Sequence, residues 1–105
     1  MWGLVGSSCE VCYSATKAAL IGFTKALAKE TGPSGITVNA IVPGVIDTEM
    51  NAALSMEDKM ELCEQTPLMR IGKPDEVAQS MLFLASDGAA FITGAVLNIS
   101  GGFVV

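Results

Sequence analysis

An α/β layered fold is what these 105 residues predict, and three observations carry the prediction. Residues 7–30 repeat small and apolar side chains at the three- and four-residue spacing of one helical face. Two short runs, Ile36-Thr37-Val38-Asn39-Ala40-Ile41-Val42 and Ala95-Val96-Leu97-Asn98-Ile99, are β-branched and nearly all apolar, the pattern of strands covered on both faces. Helical segments separate them, and an intervening helix is what two parallel strands of one sheet require.

The first helix is expected to start at Ser7. Gly3 and Gly6 punctuate the lead-in, and Ser7-Ser8-Cys9-Glu10 has the form of a capping box, with Ser7 as N-cap and Glu10 at its third position. Ala15, Ala18, Ala19, Gly22, Phe23, Ala26 and Leu27 form its predicted packing face, small enough for a second backbone to approach closely, and Gly32-Pro33 end it. Pro43-Gly44 stops the first strand, and Asp47 or Thr48 then caps a short helical turn through Leu54. Ser55-x-x-Asp58 opens a polar helix to about Gln65. The stretch 47–70 carries Met50, Met56, Met60 and Met69, adaptable side chains that suit a binding lid as well as ordinary gap-filling. Pro74-Asp75-Glu76 reads as a first helical turn, with Pro at N1 and two acids at the positive end of the dipole. Val77, Ala78, Met81, Leu82 and Ala85 are the predicted buried stripe of that helix, which Asp87-Gly88 ends. The second strand finishes at Gly101-Gly102.

Composition closes several routes. The net charge of −5 offers nothing to replace the counterions of a nucleic acid, so no nucleic-acid partner is expected. No apolar run approaches the roughly 18 to 20 residues of a membrane span. The N-terminus has no basic region for a signal peptide, so the cytoplasm is expected. No histidine is present, which removes a Ser-His-Asp triad and leaves zinc without its usual ligand. Cys9, Cys12 and Cys63 make an odd count that fits a reducing compartment. Cys9-x-x-Cys12 has redox-dithiol spacing, but Glu10-Val11 between them and the lack of a second pair favour two small thiols on one helical turn, and no metal is expected.

Tyr13 and Lys17 are the candidate chemistry. Four residues apart on one helix, they share a face about one turn apart. A phenol has a pKa near 10, too high for ready proton exchange at neutral pH. At about 4 Å and an effective dielectric of about 20, an ammonium stabilises a phenolate by roughly 4 kcal/mol, on the order of three pKa units before screening.

Tyr13-Ser14-Ala15-Thr16-Lys17 with its continuation to Glu30 resembles the catalytic helix of the short-chain dehydrogenase/reductases. Gly35 to Thr48 resembles that family's sixth strand and Pro-Gly loop, Pro74-Asp75-Glu76-Val77-Ala78 and Leu84-Ala85-Ser86-Asp87 its last helix, and Ile92-Thr93-Gly94 with Asn98 and Gly101-Gly102 its last strand. Four motifs in order cover essentially the whole chain, and within the family the 3-oxoacyl-acyl-carrier-protein reductase group is the most similar. The resemblance implies that residues 1–105 are the C-terminal portion of a single doubly wound, parallel-sheet, Rossmann-like domain. It implies hydride transfer between NAD(P)H and a carbonyl or secondary alcohol, with an acyl thioester as the expected substrate and NADP favoured over NAD under that reading. It makes Tyr13 the catalytic acid and Lys17 its partner, which also holds the nicotinamide ribose. Pro43, Gly44, Ile46 and Thr48 become cofactor-binding positions, and the methionine-bearing stretch becomes the substrate lid. It further implies a dimer or tetramer.

The family's Gly-x-x-x-Gly-x-Gly turn, its substrate-orienting serine and its upstream asparagine have no match in this sequence. The expectation is therefore a C-terminal half without its dinucleotide-binding half, with Met1 an internal methionine, inactive by itself. The competing expectation is a non-catalytic module that serves only in subunit association.

Overall fold

The structure is a computed structural model that describes residues 2–49 and 53–103, with residues 2–10 and 13 described through their backbone. Its order is α1 (Trp2–Thr31), a 3-10 turn (Gly32–Ser34), β1 (Ala40–Pro43), α2 (Met56–Gln65), α3 (Pro74–Leu84), a second 3-10 turn (Asp87–Ala89) and β2 (Val96–Ile99). The α/β class is as expected. The chain divides into two units, Met1–Ala40 with Thr93–Ala95 and Ile41–Ile92 with Val96–Val105.

In the first unit α1 is a single helix of 30 residues. Its start corrects the sequence reading. Ser7 is helical rather than the extended residue an N-cap must be, so no capping box opens the helix there. Gly3 and Gly6 each cost a helix interior about 1 kcal/mol, too little to stop propagation once the following turns are formed. The packed face also differs. Thr24 and Ala28 are buried and Lys17, Ile21, Leu27 and Thr31 half-buried, whereas Ala15, Ala18, Ala19, Gly22, Phe23 and Ala26 are exposed. Small side chains mark where a neighbour can approach, and among the described residues the approach comes at Gly94, where a Cβ would stand 3.5 Å from that of Ala28. Gly35, at φ 78°, closes the helix end as a left-handed residue whose N–H donates to the Gly32 carbonyl.

Residues 36–39 lie outside the strand, so the strand is shorter than the run of apolar residues suggests. Side chains supplement the backbone there: the Val38 N–H donates to Thr93 Oγ1 at 2.9 Å and the Ala95 N–H to Asn39 Oδ1 at 3.0 Å. Backbone rungs run from the Gly94 N–H to the Val38 carbonyl, 2.7 Å, and from the Ala40 N–H to the Ala95 carbonyl, 2.9 Å.

In the second unit the Gly44 N–H donates to the Ile99 carbonyl at 3.0 Å. The rungs 40 to 95 and 44 to 99 advance together, so β1 and β2 are parallel. Val42, Val45, Leu62, Thr66, Ala89 and Ser100 form the buried centre of this unit. β2 is not covered on both faces: Leu97 and Asn98 are exposed, because β1 is its only sheet neighbour among the described residues. Ser55 caps α2 as expected, its hydroxyl accepting from the Asp58 N–H at 3.1 Å. The expected turn from Asp47 through Leu54 crosses residues 50–52 and Met50, outside the described residues. Met56, Met60 and Met69 are exposed, so they fill no gaps in this chain.

α3 begins at Pro74 as read, but its inward face is Glu76, Val77, Ser80 and Leu84; Ala78, Met81, Leu82 and Ala85, four of the five residues in the predicted stripe, are exposed. Apolar spacing marks a band broad enough for more than one neighbour, and one edge of it is covered among the described residues.

Candidate active site

Tyr13 and Lys17 stand one turn apart on α1, on a helical row that continues through Ile21, Thr24, Ala28 and Thr31. From Lys17 onward that row is the half-buried or buried one. The Thr24 hydroxyl bonds back to the Leu20 carbonyl at 2.7 Å and the Thr31 hydroxyl to the Leu27 carbonyl at 2.8 Å, which lets polar residues lie in it without unsatisfied groups. Lys17 thus belongs to the face that α1 turns inward rather than to its alanine-rich face. The tyrosine side chain lies outside the described portion.

Pro43, Gly44, Ile46 and Thr48 all line one hollow of about 360 Å³ in the second unit. Two further residues complete it, Pro74 and Val77 from the first turn of α3. Neither was a site candidate from sequence, since Pro74 is fully explained as a helix start. The hollow's size falls at the lower end of the roughly 300–1,000 Å³ of small-molecule sites, and its lining is apolar.

Why the loop takes this course is visible at Gly44. A Cβ there would stand 2.7 Å from Cα of Ser100, so only glycine lets β1 pass the end of β2 and release the chain into the loop. The loop is then held to the segment before α3. The Gly72 N–H donates to the Val45 carbonyl at 2.9 Å, and the Asp47 N–H to the Gly72 carbonyl at 2.8 Å, forming an isolated parallel bridge between Ile46 and Gly72.

An ion pair that the sequence reading missed lies at the same place. Both terminal nitrogens of Arg70 donate to the Glu76 carboxylate, each at 2.6 Å, and Glu76 Oε1 also accepts from the Lys73 N–H at 2.9 Å. The Arg70 hydrogen bonds, and then the Lys73 N–H, hold the Glu76 carboxyl down at about 2. The partner guanidinium is raised above its ordinary value for the same reason. A six-residue separation across a Gly-Lys-Pro segment gives no periodic signal, which is why spacing rules did not find it.

No group of three or more metal-ligating side chains occurs among the described residues. Cys12 is exposed and Cys63 half-buried, both as free thiols. No helix among the described residues is long and apolar enough to cross a membrane.

A family model described as enoyl-(acyl carrier protein) reductase matches residues 2–104. The 3-oxoacyl-[acyl-carrier-protein] reductase of Aquifex aeolicus is 53% identical over 100 residues, which are 95% of this chain and 40% of that protein. The enzyme of the same name from Chlamydia trachomatis is 51% identical over the same shares of both. Among solved structures, a 3-oxoacyl-[acyl-carrier protein] reductase from Brucella melitensis superposes with a TM-score of 0.84 at 46% identity, covering 89% of this chain and 35% of that one. A second reductase from that organism, solved with bound NAD, gives 0.78 at 44% identity over 89% and 34%. The chain spans about 40% of the length of the curated relatives it matches.

Proposed function

The chain belongs to the short-chain dehydrogenase/reductase family, and from that premise we propose that it carries the proton-donating pair and the nicotinamide-end seat of an NAD(P)-dependent reductase of 3-oxoacyl thioesters. The observation that carries the proposal is the convergence of Pro43, Gly44, Ile46 and Thr48 on one apolar hollow. The apolar lining supports this reading, since it offers a planar ring an apolar surface, and Gly44, with no room for a side chain beside Ser100, keeps the loop backbone close to β2. When bound, the nicotinamide supplies the hydride.

The chain's own residues supply the rest. Tyr13 donates its phenolic proton to the oxygen of the substrate carbonyl as negative charge develops there. Lys17, one turn along α1, stabilises the phenolate left behind and binds the ribose, so one ammonium serves both proton transfer and cofactor binding. Pro43, Gly44, Ile46 and Thr48 orient the ring, and the segment that bears Met56 and Met60 offers exposed, adaptable side chains to an acyl chain. NADP(H) is the proposed form of the cofactor, as the family resemblance implies, although one solved relative holds NAD; comparison of NADPH with NADH tests it. A homo-oligomer in the cytoplasm accompanies this reading.

The test is a chimera in which residues 2–104 replace the matching part of the Aquifex aeolicus reductase. Tyr13→Phe is expected to lower turnover of an acetoacetyl thioester at least about a hundredfold, the lower bound for a lost general acid, with dinucleotide affinity nearly unchanged. Near-normal turnover in that variant would overturn the assignment.

A further inference from the structure

The hollow has two sides, the loop Pro43–Thr48 and the start of α3, and the segment Arg70–Lys73 is bonded to both. Glu76 sits between Pro74 and Val77, the two α3 residues of the lining, and accepts from the Lys73 N–H at the helix entry. Arg70 grips the same carboxylate with both nitrogens, and two residues later Gly72 holds Val45 and Asp47 through two backbone bonds. A Cβ at Gly72 would stand 2.8 Å from Cδ1 of Ile46, so the bridge brings the backbone onto the residue that lines the hollow. Arg70, Glu76, Gly72 and Ile46 also share a second, smaller cavity of about 140 Å³.

We infer that Arg70 is a positioning residue: its fork on Glu76 fixes Gly72 against Val45–Asp47 and so presets the Pro43–Thr48 hollow for a planar ring. The inference rests on the functional reading above for the ring's identity, and on the hydrogen bonds alone for the presetting. A lysine cannot replace the fork, because an ammonium makes point contacts and cannot span both carboxylate oxygens in plane. An exposed pair that only adds stability would loosen every part of the unit alike, whereas a clasp loosens the bridge first.

Amide exchange on the 105-residue chain distinguishes these. Arg70→Ala is expected to speed exchange at the Gly72 and Asp47 amides about fivefold relative to the Gly44 amide, whose partner is Ile99. Arg70→Lys should recover little of this, and the exchanged pair Arg70→Glu with Glu76→Arg should recover most. In the same samples, titration with nicotinamide mononucleotide, followed at the Gly44, Ile46 and Thr48 amide signals, should show affinity lowered by about the same factor in Arg70→Ala. Equal acceleration at all three amides, or a loosened bridge with unchanged affinity, would overturn the inference. Should the parent chain show no response to the mononucleotide, the functional reading falls, and the exchange comparison still decides whether Arg70 presets the hollow. If Arg70→Ala fails to fold, Glu76→Gln, which keeps the shape and weakens the fork, gives the same comparison.

Discussion

At the scale of single residues, two backbone positions carry opposite predictions, one of them in the hollow itself. Gly44→Ala puts a methyl 2.7 Å from Cα of Ser100, a backbone atom that cannot rotate away. The β1–β2 pair must shift, with an expected loss of about 1–3 kcal/mol by urea unfolding, and with broadened Ile46 and Thr48 signals. Unchanged stability would show that the loop does not pass as closely as described. Met69 gives the opposite prediction. It holds φ at 61°, a left-handed conformation that glycine adopts without the penalty of roughly 1–2 kcal/mol borne by other residues. Its side chain is 63% exposed and contributes little packing, so Met69→Gly should raise the urea midpoint. A lowered midpoint would mean that the side chain makes contacts worth more than the strain.

Elements show how the local signals divide. Serine capping of α2 was legible because Ser55 and Asp58 are three residues apart, the distance that the hydrogen bond itself spans. Ser55→Ala should cost about 1 kcal/mol, read as loss of helical signal and of urea midpoint. The start of α1 was not legible, since Ser7 and Glu10 make a capping box on paper and yet continue a helix that begins at Trp2. The inward face of α3 escaped for a different reason. Ala78, Met81, Leu82 and Ala85 fit helical spacing, but the first turn is bound at Glu76 by Arg70, a residue outside the helix whose contact spacing within the helix does not record.

That pair has a pH signature. Glu76 is depressed from 4.5 to about 2 in the folded chain, so the unfolded chain takes up its proton first as pH falls. Its contribution to stability is therefore full above about 4.5 and is lost between about 4.5 and 2. Glu76→Gln should lose less stability than the parent chain between pH 5 and pH 2.5, although it starts lower. Parallel loss in the two chains would place the acid sensitivity in other carboxylates.

For the molecule as a whole, the sequence carried the α/β class, the order of elements and the grouping of Pro43, Gly44, Ile46 and Thr48, because each of these rests on local spacing or motif. It did not carry coverage. Residues 95–99 are apolar enough for a strand enclosed on both faces, yet β2 leaves Leu97 exposed, and α3 leaves Leu82 at 72% and Phe91 beyond it fully exposed. Pattern records the burial a segment is suited to, not whether its neighbours lie in the same stretch of chain. These surfaces predict association through apolar contact: sedimentation should show mass rising with concentration, and Leu82→Glu should reduce the rise. Monomeric behaviour at all concentrations would refute this.

The seat at Pro43–Thr48 and the pair on α1 are the central claim, and titration of the purified chain with NADH and NADPH tests it most directly. Shifts should be confined to the lining of the hollow and to α1 near Lys17, with weak affinity and no turnover of an acetoacetyl thioester, because no glycine-rich turn for the pyrophosphate occurs among the 105 residues. Tight binding with steady turnover, or shifts that avoid Gly44, Ile46 and Thr48, would contradict the account.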